Sequence, residues 1–97
     1  MALLTPEAHE DILQLKFRGC LVGLAIGDAL GAPFEGRSVV GRAEVYAAAE
    51  TRDALRYTDD THVTIGVAES LIACRGFDGR HMAETVVYNF EQEPWRG

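Results

Sequence analysis

An all-α fold is what this sequence predicts, and three observations carry that expectation. Apolar residues recur at intervals of three and four in three long stretches. Capping and stop signals bracket each stretch. No segment shows the polar–apolar alternation of a half-buried strand.

Thr5, Pro6 and Glu7 read as an N-cap, a proline at the first helical position and an acid in the first turn. A start near His9 to Asp11 competes with that one. Leu13, Phe17, Cys20, Leu21 and Leu24 then mark one face of a long helix expected to reach about Leu30. Gly31, with Pro33 two positions on, supplies the stop. Inside this helix Gly19, Gly23 and Gly27 recur every fourth residue, and Gly31 continues the interval. Each costs roughly 1 kcal/mol against alanine, so the stripe they form needs compensation. A groove for close helix–helix packing is the commoner explanation of such spacing; the other is backbone opened toward a ligand. Lys16, Arg18 and Asp28 interrupt any lipid-facing span.

Ala32 to Arg37 read as a loop bounded by Gly and Pro, and Val45 to Ala49 as a short helix. After Asp59 or Asp60, Val63, Val67, Ala68, Leu71 and Ile72 mark a further helix ending near Arg75-Gly76. Asp78 is expected to cap a last helix with Met82, Val86 and Phe90 on one face, closed by Pro94. That last helix has few partners. The apolar faces and the glycine groove offer more helix surface than 97 residues can cover among themselves. Residues 1–97 are therefore expected to form one incomplete segment of a larger helical domain.

Apolar residues make up 47% and charged residues 25%, a globular rather than a disordered composition. The formal charge of −6 and the lack of any basic run exclude a nucleic-acid binder, whose affinity rests on Lys and Arg neutralising phosphates. Cys20 and Cys74 are far apart and form no C-x-x-C, so neither a zinc site nor a disulfide framework is expected. Both should be reduced, buried thiols, in keeping with a cytoplasmic setting. The stretch Met1 to Glu7 lacks the features of a signal peptide. No uninterrupted apolar run approaches the roughly 20 residues of a membrane span, so no membrane partner is expected. His9 and His81 look like surface residues near helix starts.

The richest concentration of ligand chemistry is Tyr57-Thr58-Asp59-Asp60-Thr61. Hard divalent cations such as Mg²⁺ take oxygen ligands from carboxylates, hydroxyls, carbonyls and water, and Thr58, Asp59 and Asp60 offer three in succession. Helix capping explains the same residues, since Thr or Asp at the N-cap and an acid in the first turn both stabilise a helix start. The two readings are compatible, because a cation between adjacent like charges relieves their repulsion. His62 adds only a weak metal case. Glu35, in a loop after an apolar helix, suits a general acid or base, and equally a solvated surface carboxylate. Asp28 sits near a helix C-terminus, where the dipole disfavours negative charge, and so invites a cation or buried donors.

The stretch Gly19-Cys20-Leu21-Val22-Gly23-Leu24-Ala25-Ile26-Gly27-Asp28-Ala29-Leu30-Gly31-Ala32-Pro33-Phe34-Glu35, followed by Tyr57-Thr58-Asp59-Asp60-Thr61, resembles the opening of the ADP-ribosylglycohydrolase family. That family includes the dinitrogenase reductase-activating glycohydrolase and the ADP-ribosyl-arginine and ADP-ribosyl-serine hydrolases. Glu93-Pro94-Trp95-Arg96-Gly97 resembles the start of a further family loop. The resemblance implies an all-α fold, a two-Mg²⁺ centre and hydrolysis of the glycosidic bond joining ADP-ribose to a protein side chain. It makes Thr58, Asp59 and Asp60 metal ligands, Glu35 the catalytic acidic loop residue and Asp28 a supporting residue, with an ADP-ribosylated protein or ADP-ribose as partner. Whether the linkage is to Arg, Ser or another side chain does not follow.

Two departures stand out. His62-Val63 occupies positions where the family often has Gln-Met. The second Asp-x-Asp-Thr cluster that the family carries near its C-terminus has no counterpart after residue 61. The chain thus resembles the first third of the family's pattern, with half the metal site missing. It is expected to be inactive alone, a partner chain supplying the missing helices. The alternative is a non-enzymatic helical interaction module derived from the same fold.

Overall fold

The computed structural model describes residues 5–96. In chain order it contains α1 (Pro6–Gly31), a 3₁₀ turn (Ala32–Phe34), α2 (Arg42–Thr51), α3 (Asp59–Cys74), α4 (Gly79–Gln92) and a second 3₁₀ turn (Pro94–Arg96). No strand occurs among the described residues, as expected. Met1 to Leu4, read above for a leader sequence, and Gly97 lie outside them.

The earlier of the two helix starts is the real one. The Ala8 amide donates to Thr5 Oγ1 at 3.1 Å, with Pro6 at the first helical position. The stop differs from expectation. Gly31 is not a left-handed cap, with φ −81°, and the chain passes directly from α1 into the 3₁₀ turn. The left-handed residue comes later, at Gly36 with φ +81°. Segment α2 is longer than the Val45–Ala49 stretch read from sequence. Its N-terminus is closed by Glu44, whose carboxylate accepts from the Gly41 amide at 2.9 Å and from Arg37 at 3.0 Å.

Helices α3 and α4 make the most extensive pairing in the molecule. Gly66 makes it close: a methyl there would stand 3.1 Å from Val86 Cγ2 and 3.4 Å from Val86 Cα. One turn on, the fully buried Ser70 hydroxyl lies 2.7 Å from His81 Nδ1. His81 is therefore a half-buried clamp between helices, correcting the surface reading, whereas His9 is exposed. Arg75 in the left-handed region ends α3, and the Gly76 amide donates back to Leu71 O at 3.1 Å. Asp78 caps α4 by accepting from the His81 amide at 3.0 Å. The last helix is thus well partnered, and α1 is the element left bare.

Among the described residues Ala29 is the one buried apolar side chain. Leu13, Leu15, Phe17 and Val22 stand in the open on α1, more than half exposed. Cys20 and Cys74 are exposed as well, contrary to expectation, because the faces that carry them have nothing packed on them. The radius of gyration is 17.3 Å, against about 13 Å for a compact domain of this length. The accessible surface is 7745 Å², against roughly 5,500 Å² for a folded monomer of this mass.

Among the described residues no helix packs on the glycine stripe of α1. Apart from the helix's own backbone and the adjoining residues, no atom of theirs lies within 4 Å of a methyl placed at Gly19, Gly23, Gly27 or Gly31. By length and composition alone, Pro6–Phe34 is long and apolar enough to cross a membrane, although charged residues interrupt its apolar run. Asp28 opposes that use, since it falls near the middle of the apolar stretch and a charge at mid-bilayer costs about 2.5–3.5 kcal/mol. With so little buried, the isolated chain is expected to lose its helical signal gradually on heating and to bind a hydrophobic dye. A sharp calorimetric transition from a monomer would show that the exposed faces need no cover.

Candidate functional site

The C-terminal end of α1 meets the N-terminal end of α3, and Asp28 joins them. Its Oδ2 accepts from the Thr58 amide at 2.8 Å, the Thr61 amide at 3.2 Å and the Thr61 hydroxyl at 2.6 Å. Its Oδ1 accepts from the Thr58 hydroxyl at 2.6 Å. The amides at the start of a helix are unsatisfied donors and carry the positive end of the dipole. Asp28 therefore gains at α3 what it loses by standing at the end of α1. Of the alternatives anticipated for it, buried donors are found. Burial pushes the Asp28 carboxyl up, but the hydroxyls and amides of Thr58 and Thr61 together outweigh it and hold the group below the ordinary aspartate range.

A second residue secures this end of α1. The Arg52 guanidinium donates to the carbonyls of Ala29 at 2.7 Å, Leu30 at 3.4 Å and Ala48 at 3.1 Å. It caps α1 with a cation and ties the end of α2 to it. Neither Arg52 nor the part played by Thr61 was read from the sequence. Thr61 lay inside the acidic motif, but an arginine in an irregular stretch gives no signal.

With Asp28 serving as the cap, Asp59 and Asp60 are not needed as caps. Thr58 is the N-cap by position, yet its side chain accepts no capping bond. Neither aspartate side chain makes a hydrogen bond among the described residues. The side-chain capping bond expected of the motif is thus absent among the described residues, although Asp59 and Asp60 stand in the first turn of α3, where the dipole favours them.

A cleft of about 280 Å³ opens here, lined by Gly27, Asp28, Gly31, Glu35, Thr58 and Asp60 among others. The structure brings Asp28, Glu35, Thr58 and Asp60 to one cavity from three separate stretches of sequence. Two of the stripe glycines form its wall, so their missing side chains keep it open. Asp59, the first residue of α3, lies outside that lining, because successive residues at a helix start point in different directions.

His62 is turned away. Its Nε2 donates to the Asn89 carbonyl at 2.8 Å, and its Nδ1 lies 3.6 Å from Glu93 Oε2. It does not line the cleft. Arg96 braces the motif from the other side, with its guanidinium 3.7 Å from the centre of the Tyr57 ring, donating to Tyr57 O at 3.2 Å and Glu93 Oε2 at 2.9 Å. That bond from Arg96 holds the Glu93 carboxyl below its ordinary range.

The donors facing the cleft are all oxygens, the kind a hard cation takes. Among the described residues no three His, Cys, Asp or Glu side chains come close enough to enclose a metal ion. The set fits Mg²⁺ in kind and is too few in number to enclose it.

The family described as ADP-ribosylglycohydrolase matches residues 9–97 of this chain. The chain is similar to ADP-ribosylhydrolase ARH3 of Gallus gallus, with 40% identity over 97 aligned residues, covering 84% of this chain and 26% of that protein. ARH3 of Mus musculus is 34% identical over 94 residues, covering 84% and 25%. ARH3 of Homo sapiens is 32% identical over 94 residues, covering 84% and 26%. The chain spans about a quarter of the length of the curated relatives it matches.

The Asp28 junction gives a pH dependence of definite sign. Its carboxyl titrates lower when folded than when unfolded. The stabilisation is therefore complete above about pH 4, the unfolded value, and is lost as pH falls through the lower folded value. Amide protection at Thr58 and Thr61, followed by hydrogen exchange, is expected to drop in that acid range in the native chain. Asp28→Ala should remove the protection at every pH.

Proposed function

This chain belongs to the ADP-ribosylglycohydrolase family, and on that premise we propose that it is the N-terminal segment of a Mg²⁺-dependent hydrolase releasing ADP-ribose from a protein side chain. By family it is of hydrolase type. The observation that carries the finer reading is the cleft where Glu35 faces the same space as Thr58 and Asp60.

When bound, a pair of hard cations would hold vicinal ribose hydroxyls, activate water and stabilise charge on separating oxygens. On this chain Thr58, Asp59 and Asp60 would hold them, Asp59 by the motif match alone. Glu35 is the catalytic carboxylate, moving a proton either from the attacking water or to the departing oxygen. Asp28 supports them by fixing the two helix ends. The bare backbone at Gly27 and Gly31 leaves room for the sugar.

The remaining metal ligands would come from the part of the domain that this chain does not span, in the same polypeptide or a partner chain. The surplus surface supports this reading: it exceeds that of a folded monomer by roughly 2,000 Å², the scale of an obligate interface. The reading extends to a cytoplasmic setting, which the two free thiols suit. The same exposed faces favour one rival, a non-enzymatic helical module that pairs with another chain.

Offered ADP-ribosyl-arginine or ADP-ribosyl-serine protein with Mg²⁺, the 97-residue chain is expected to release little or no ADP-ribose. Full turnover by this chain alone would overturn the account of the missing ligands. In a polypeptide carrying the rest of the domain, Glu35→Gln should lower kcat by about 10²- to 10⁴-fold while leaving Mg²⁺ affinity nearly unchanged. Tight pairing with a helical partner, without any response of the Thr58 and Asp60 resonances to Mg²⁺, would favour the module.

A further inference from the structure

A threonine hydroxyl has one proton and two lone pairs, and only the lone pairs can face a cation. At an N-cap the threonine oxygen ordinarily spends its acceptor capacity on an amide of the first turn. At Thr58 that arrangement is displaced. The Thr61 amide goes to Asp28 Oδ2 at 3.2 Å, and the Thr58 hydroxyl donates to Asp28 Oδ1 at 2.6 Å. Asp28 therefore performs the capping and also takes the hydroxyl proton. The Thr58 oxygen is left with uncommitted lone pairs beside the cleft that Asp60 and Glu35 share.

We propose that Asp28 is a positioning residue that sets the polarity of the Thr58 hydroxyl, so that an oxygen lone pair rather than a proton faces a hard divalent cation in the cleft. This rests on the reading of the cleft as a metal site. The division of donors between the two carboxylate oxygens makes the role specific. Oδ2 takes three donors and Oδ1 takes the Thr58 hydroxyl alone. An asparagine of the same shape could keep its carbonyl at the three-donor position and still cap α3. Its NH₂ would then face Thr58, forcing that hydroxyl to accept and to swing its proton elsewhere, including toward the cleft. Asp28→Asn thus reverses Thr58 with little change in volume.

The test is a Mn²⁺ titration followed by electron paramagnetic resonance on the native chain, Asp28→Asn, Thr58→Val and the double variant, with water exchange of the Thr58 hydroxyl proton read by NMR. Circular dichroism checks that the helices persist. Asp28→Asn is expected to weaken Mn²⁺ binding by about ten-fold or more, as loss of a group orienting a metal ligand does. The loss should vanish in the Thr58→Val background, because a residue acting through Thr58 has nothing left to orient. The hydroxyl proton should exchange slowly in the native chain and rapidly in Asp28→Asn. An equal loss of affinity with Thr58 already removed would mean that Asp28 acts by its charge alone, which overturns the proposal. Rapid hydroxyl exchange in the native chain overturns it as well. If the native chain binds no Mn²⁺, the metal reading of this chain fails, and hydroxyl exchange alone then decides whether Asp28 sets the polarity of Thr58.

Discussion

Asp28 is the point on which the tertiary structure turns. A carboxylate in the last turn of α1 is unfavourable for α1 by itself, since the carbonyl end of a helix repels it. Four donors from the first turn of α3 reverse that balance. The two helices are thereby joined end to end, by a contact that neither could satisfy alone. Hydrogen bonds to a charged group contribute about 1.5–3 kcal/mol each, net of the bonds to water they replace. Arg52 completes the junction by covering the carbonyls of Ala29 and Leu30.

The consequence for chemistry is a division of labour. A helix start needs acceptors for its amides, and the acidic motif could have supplied them from within. Because α1 supplies them instead, Asp60 and Thr58 keep free oxygen lone pairs at the rim of the cleft. Arg96 does similar work on the outer side, holding Tyr57 through its ring and its carbonyl. The residues before and after the motif are thus fixed, while the motif's carboxylates are not consumed in fixing it.

Packing outside this junction is lopsided. The α3–α4 pair is closed tightly by Gly66 and by the Ser70–His81 bond. Helix α1 touches α3 and, through Arg52, the end of α2, and presents Leu15, Phe17 and Val22 to solvent. Of its 47% apolar residues, the chain buries only Ala29 among the described residues. It spans about a quarter of the length of the relatives it matches, somewhat less than the third its motifs implied.

Sequence alone determined the helices, because periodicity and caps are local: Thr5, Asp78 and the Arg75-Gly76 stop all act within a few residues of themselves. It also determined the family, since the motif residues that carry the resemblance stand in the sequence itself. It misjudged what depends on neighbours distant in the chain. The cysteines are exposed because no cover lies over them, and His81 is half-buried because Ser70 on α3 meets it. His62 faces Asn89 and Glu93 rather than the cleft. Above all, only the tertiary structure decided that the cap of α3 comes from Asp28, thirty residues before Thr58. A hydrogen bond across that separation leaves no spacing to read; it exists only once two helix ends have been brought together.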